Sequence, residues 1–301
     1  MLLILVSAAG LLVGGCADEQ GSSSDGSGRS DRAAGVGDPA DPGFGHVHGL
    51  GLDPADGAIY AATHYGVWRL PAPGGTDPSQ PARVADRLQD TMGFTVAGPN
   101  LFYGSGHPDV REKAPPHLGF IVSRDRAETW EPVALRGEAD FHDLAAVGAR
   151  IYGYDATAGR LRVSDDTGRT WQEREPRAIR DVTVSPDDPD LVLATTEDGL
   201  VSSRDAGVAF EPVDDAPPLL LVDWVGGVLA GVDVAGTVWS ATGGRPDSDW
   251  VRRGELTGAP QAFTVAPDGR LLAADELGVQ LSADGGATWT LVAGYDGTGK
   301  N

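Results

Sequence analysis

The stretch Phe44-Gly-His-Val-His-Gly-Leu-Gly-Leu52 puts His46 and His48 two residues apart at the start of a strand-like run. The chain has 301 residues but only six histidines, and the other four are His64, His107, His117 and His142. Imidazole nitrogens ligate zinc, copper, nickel and iron. A thioether adds a preference for copper, and Met92 is the only methionine beyond Met1. His46 and His48 are both expected to reach one ion only if the strand start is irregular, which Gly45 and Gly49 permit; otherwise His48 is the ligand and His46 stands beside it or elsewhere on the surface.

These residues must be positioned by a repeat. The signature S-x-D-x-x-x-x-W occurs as Ser123 to Trp130, Ser164 to Trp171 and Ser282 to Trp289, with a weaker copy from Ser203 to Phe210. It resembles the Asp-box, also called the BNR repeat, a hairpin turn. In that turn the aspartate, here Asp125, Asp166, Asp205 and Asp284, accepts backbone N–H bonds while the aromatic packs beneath. Two short β patterns precede each turn, the first alternating with period two, as in Met92-Gly-Phe-Thr-Val96 and Arg180-Asp-Val-Thr-Val184. Two further strands flank the turn. The expected fold is therefore all-β, with four antiparallel strands per unit and six units closing into a β-propeller; seven blades are the alternative. First strands are expected to begin near residues 48, 92, 142, 180, 221 and 261.

In an antiparallel hairpin the start of one strand lies beside the end of the next. The first-strand starts hold His48, Met92, His142, Arg180, Leu221 and Gln261, and the second-strand ends hold His64, His107, Asp155, Glu197, Asp233 and Glu276. His46, His48, His64, His107, His142 and Met92 are thus expected on one side of one face, across blades 1 to 3, as a metal site for copper before zinc. His117 lies in an insertion, residues 108 to 118, able to fold over that face. Asp140, Asp143 and Asp155 are candidates to orient imidazole N–H groups. A single histidine in a wet channel does no more than bond to solvent; convergence of several is what argues for a ligand. The second-strand carboxylates are read as turn residues.

Residues 1 to 15 are apolar and end in small residues before Cys16, which reads as a signal peptide. Leu12-Val-Gly-Gly-Cys16 resembles the bacterial lipobox, which implies lipidation of Cys16 and an exported protein held to the membrane by its N-terminal lipid alone. Cys16 is the only cysteine, so no internal disulfide forms. Residues 16 to 43, rich in Gly, Ser, Asp and Pro, are expected to be a flexible tether, and 44 to 301 the propeller. The net charge of −21 and pI near 4.4 exclude a basic face for nucleic acid and a polybasic membrane patch. No nucleotide cofactor is expected, and a monomer is.

The blocks His46-Val-His-Gly-Leu50, Ala62-Thr-His-Tyr-Gly66, Met92-Gly-Phe-Thr-Val96, Gly104-Ser-Gly-His-Pro-Asp109 and Asp140-Phe-His-Asp-Leu144 resemble those of bacterial Asp-box propeller lipoproteins labelled sialidase-like or glycosylhydrolase-like. The resemblance implies six or seven blades and export. Sialidases carry an Arg-Ile-Pro motif and an arginine triad; this chain has no Arg-Ile-Pro, and only Arg180 stands at a matching strand start. If the protein is an enzyme, glycoside hydrolysis through Asp140 with Asp155, or Glu197 with Asp181, is the reaction expected. A scaffold for an envelope protein or glycan is a further alternative.

Overall fold

The computed structural model describes residues 41–71 and 80–295; the expected leader, Cys16 and most of the expected tether lie outside them. The described chain forms six four-stranded antiparallel sheets, each from consecutive strands, arranged as a β-propeller. Its only helical segments among the described residues are two short 3-10 turns at Val84–Asp86 and Thr242–Gly244. The innermost strands are Val47–Leu52, Asp90–Gly98, Phe141–Val147, Asp181–Val184, Leu219–Val225 and Ala262–Val265. The expected starts at 92 and 221 therefore fall two residues late. These strands surround a central channel of about 220 Å³.

Alternation explains the packing. One side of each sheet meets the preceding blade and the other the next, so six apolar clusters fill the six junctions. Trp130, Trp171, Phe210 and Trp289 each pack into the junction with the preceding blade. The turns that carry them share one geometry. In each, the serine hydroxyl bonds the aspartate at 2.7–2.9 Å. The same serine oxygen accepts the backbone N–H four residues on, at 2.8 Å.

The ring closes by packing and not by strand exchange. Phe44, Val47 and Trp68 of blade 1 share a cluster with Leu272, Val279 and Ala293 of blade 6. Gln261 Oε1 accepts from Val47 N and from Tyr295 Oη, both at 3.0 Å. The side chain of Asp41, a residue of the expected tether, is buried against Arg83, whose two terminal nitrogens donate to it at 2.8 and 2.5 Å.

Candidate functional site

Four of the six inner strands start irregularly. In blade 1, Val47 pairs with Thr63 and Gly49 with Ala62, so His48 is the extra residue of a β-bulge. His142 is the extra residue between Phe141 and Asp143 in blade 3, and Leu220 that between Leu219 and Leu221 in blade 5. In blade 2 the shift falls between Thr91 and Phe94, at Met92 and Gly93. A bulge re-aims a side chain without breaking the sheet. At the blade 1 bulge the rings of His46 and His48 stand together, with centroids 4.9 Å apart.

The structure sorts the histidines into two groups. In the first, His48 Nε2 lies 3.1 Å from His64 Nδ1 and 3.4 Å from Asp90 Oδ1, and His64 Nδ1 lies 3.0 Å from Asp90 Oδ1. His46 flanks this triangle, its ring centroid 5.9 Å from that of His64. His64 follows the second strand of blade 1 in a turn with a rigid base. Its backbone N–H bonds the His46 carbonyl at 3.1 Å. Arg83 Nε donates to the Tyr65 carbonyl at 2.6 Å, and the Arg83 guanidinium stacks on Trp68 at 4.5 Å. Gly66 has φ +98°, and a Cβ there would collide with the Arg87 carbonyl, so glycine is required.

In the second group, Asp140 Oδ2 is 3.0 Å from His142 Nε2, 3.6 Å from His107 Nε2 and 3.8 Å from His117 Nδ1. The insertion does reach this face: Leu118 N bonds Gly106 O and Gly137 N bonds His117 O, both at 2.8 Å. The groups are neighbours, because Asp90 of the first pairs directly with His107 of the second. Met92 is half-buried at the blade 2 bulge.

Burial and neighbouring charges shift residues in both groups. Burial, then the neighbouring His48 and His64, and Arg180 across the channel mouth, push His46 down to about 4. Burial also lowers His48, outweighing its hydrogen bond to Asp90. Both imidazoles are thus neutral at pH 7. Burial pushes the Asp90 carboxyl up, but the bonds from His48 and His64 outweigh it and hold it below the ordinary value. Asp140 is lowered in the same way, burial being overcome by the His142 bond and the charges of His142, His107 and His117.

The other carboxylates do different work. Asp140 meets His142 as expected, but Asp143 and Asp155 orient no imidazole. Asp155 is fully buried, accepting from Thr157 N at 3.1 Å, Ala158 N at 3.3 Å and Arg162 Nε at 2.8 Å, with Asp140 N at 3.4 Å. It closes its turn, as Asp233 does by accepting from Ala235 N, Thr237 N and Trp239 Nε1. Asp143, Asp181 and Asp223 line the channel and staple each inner strand to the next. Asp143 accepts from Val182 N, Asp181 from Val222 N at 2.6 Å, and Asp223 from Val265 N at 2.8 Å. Burial raises Asp143 to about 6 and pushes Asp181 well above the usual range, with the charge of Asp143 adding to the shift; burial raises Asp223 too. Glu197 is exposed beside Arg180 in a separate cavity of about 460 Å³ between blades 4 and 5.

A blade 2 strand that begins at residue 92 leaves out Asp90, which in fact opens it. Its signal is a repeat: His46-Val-His48, Asp90-Thr-Met92 and Asp140-Phe-His142 are equivalent triplets at the starts of the first three inner strands.

No protein-family model matches the chain, and no curated protein matches it. Solved structures do. A GH74 xyloglucanase from Xanthomonas campestris is similar at TM-score 0.54 and 22% identity over 83% of this chain, which spans only 46% of that one. A chain of the nidogen/laminin complex is similar at TM-score 0.59 and 14% identity, over 78% of this chain and 92% of that one. YCF48 bound to D1 peptide is similar at TM-score 0.50 and 15% identity, over 83% of this chain and 81% of that one. At these identities the likeness is one of fold, and propellers of one fold carry unrelated functions.

Proposed function

We propose that this protein is an exported, lipid-anchored propeller whose histidine face binds a transition-metal ion, copper before zinc, for handling or sensing at the cell surface. The observation that carries the reading is the triangle of His48 Nε2, His64 Nδ1 and Asp90 Oδ1, with sides of 3.0 to 3.4 Å. Bonds of about 2.0–2.1 Å to a tetrahedral ion put its donor atoms roughly 3.3 Å apart. Two imidazoles and a carboxylate suit a borderline divalent ion, and copper(II) outranks zinc on such donors. Three protein ligands leave one position for exchange, which suits handling or sensing better than a purely structural role. His46 stands beside the triangle as a neutral imidazole. A net charge of −21 draws cations toward the surface.

Export and anchoring rest on the apolar residues 1 to 15 and on Cys16. A Cys16→Ser variant should leave the membrane fraction. The metal reading is tested by copper titration and metal analysis of the full chain. Sub-micromolar uptake that falls by one equivalent in His48→Ala and in Asp90→Asn supports it; no uptake ends it.

A further inference from the structure

We infer that the histidine face holds two ions, the second bound by His107 Nε2, His117 Nδ1 and Asp140 at the junction of blades 2 and 3. The inference rests on the metal reading of this face and deepens it.

The second group repeats the first. His64 follows the second strand of blade 1, and His107 ends the second strand of blade 2. Asp90 opens the inner strand of blade 2, and Asp140 immediately precedes that of blade 3. Each junction thus joins a histidine from one blade to an aspartate from the next. The third donor differs: His48 comes from a bulge, whereas His117 comes from the insertion. Both sets are one Nε2, one Nδ1 and one carboxylate, each gathered within 4.8 Å.

The spacing within the second set is not that of hydrogen bonds. His107 Nε2 and His117 Nδ1 lie 3.6 and 3.8 Å from Asp140 Oδ2, too far to share a proton well. His117 Nδ1 is buried with no hydrogen-bond partner among the described residues, and so is Asp140 Oδ1. His107 Nδ1 donates to the Pro116 carbonyl at 2.9 Å, which in the neutral ring leaves a lone pair on Nε2 facing the carboxylate. Two imidazole nitrogens and a carboxylate turned toward one another, two of their atoms without a hydrogen-bond partner among the described residues, form a donor set for a cation. Outside this set, His142 Nε2 donates to Asp140 Oδ2 at 3.0 Å and acts as a positioning residue. An ion here would also fasten the insertion, through His117, to blade 3. The donors suit zinc or copper(II), with one position left open.

Zinc titration of the full chain, read by calorimetry and metal analysis, tests this. Two equivalents are expected in the wild type, one in His117→Ala, one in Asp90→Asn and none in the double variant. His142→Gln should keep two equivalents and weaken one by roughly 10–100-fold, the usual cost of losing an outer partner of a ligand. Zinc should slow amide exchange across residues 108–118 in the wild type and not in His117→Ala. His117→Gln, with circular dichroism, provides a second variant if the alanine chain misfolds. One equivalent that survives His117→Ala and disappears in Asp90→Asn overturns the second site and leaves the first standing. Two equivalents retained in both His117→Ala and His117→Gln also overturn it. No zinc in any chain overturns both readings.

Discussion

Asp90 Oδ1 lies 3.0 Å from His64 Nδ1, so the first residue of blade 2's inner strand closes on the residue that follows the second strand of blade 1. The candidate centre is therefore assembled only when two blades pack. Asp90→Asn keeps the shape but removes the charge that faces two imidazoles. Copper affinity should fall by about 100-fold or more, since losing even an outer partner costs 10–100-fold. Calorimetric titration checks this, with unchanged circular dichroism as the control for folding.

His46 provides a local reading of the site. Its imidazole is lowered to about 4, first by burial and then by the neighbouring His48, His64 and Arg180. In proton NMR of the metal-free protein its ring signals should titrate near pH 4, well below an ordinary histidine. A histidine lowered in the fold binds fewer protons there than in the unfolded chain, so its contribution to stability is lost as pH falls from about 6.5 toward 4. His46→Gln should remove that part of the acid sensitivity in thermal unfolding.

The channel staples act with the opposite sign. Asp143 is raised to about 6, and Asp181 and Asp223 are raised with it. A carboxyl raised in the fold gives stability that is fully present below its unfolded value and lost as pH rises through the folded one. Asp143→Asn should therefore cost more at pH 4.5 than at pH 7.5, measured as the difference in Tm from the wild type. A gap that narrows on acidification contradicts the assignment.

Arg83 is the anchor beneath His64. Its side chain is 1% exposed, bonds Asp41 through both terminal nitrogens, and holds the Tyr65 carbonyl. Arg83→Met leaves Asp41 buried and unpaired, a loss of about 3–5 kcal/mol for such pairs. Urea unfolding measures it. The same variant should weaken copper binding without touching a ligand, because His64 adjoins the released turn.

Much of the fold was legible in the sequence because its causes are local. The S-x-D turns bond within themselves, as Ser164, Asp166 and Thr170 do, and period-two alternation marks the strands between them. The same periodicity placed His48, His64, His107 and His142 on one face, since a repeat puts equivalent residues at equivalent ends. What only the tertiary structure decided was which side chains meet. Bulges turn His48 and His142, and a bulge shows in strand register, not in residue type. Asp90 joins His48 and His64 across a blade junction, and His117 arrives from an insertion. Asp143 and Asp181, read as partners for chemistry, were drawn into stapling neighbouring strands. Sequence determines which residues recur along the chain; the packing of one blade on the next determines which of them share a few ångströms of space.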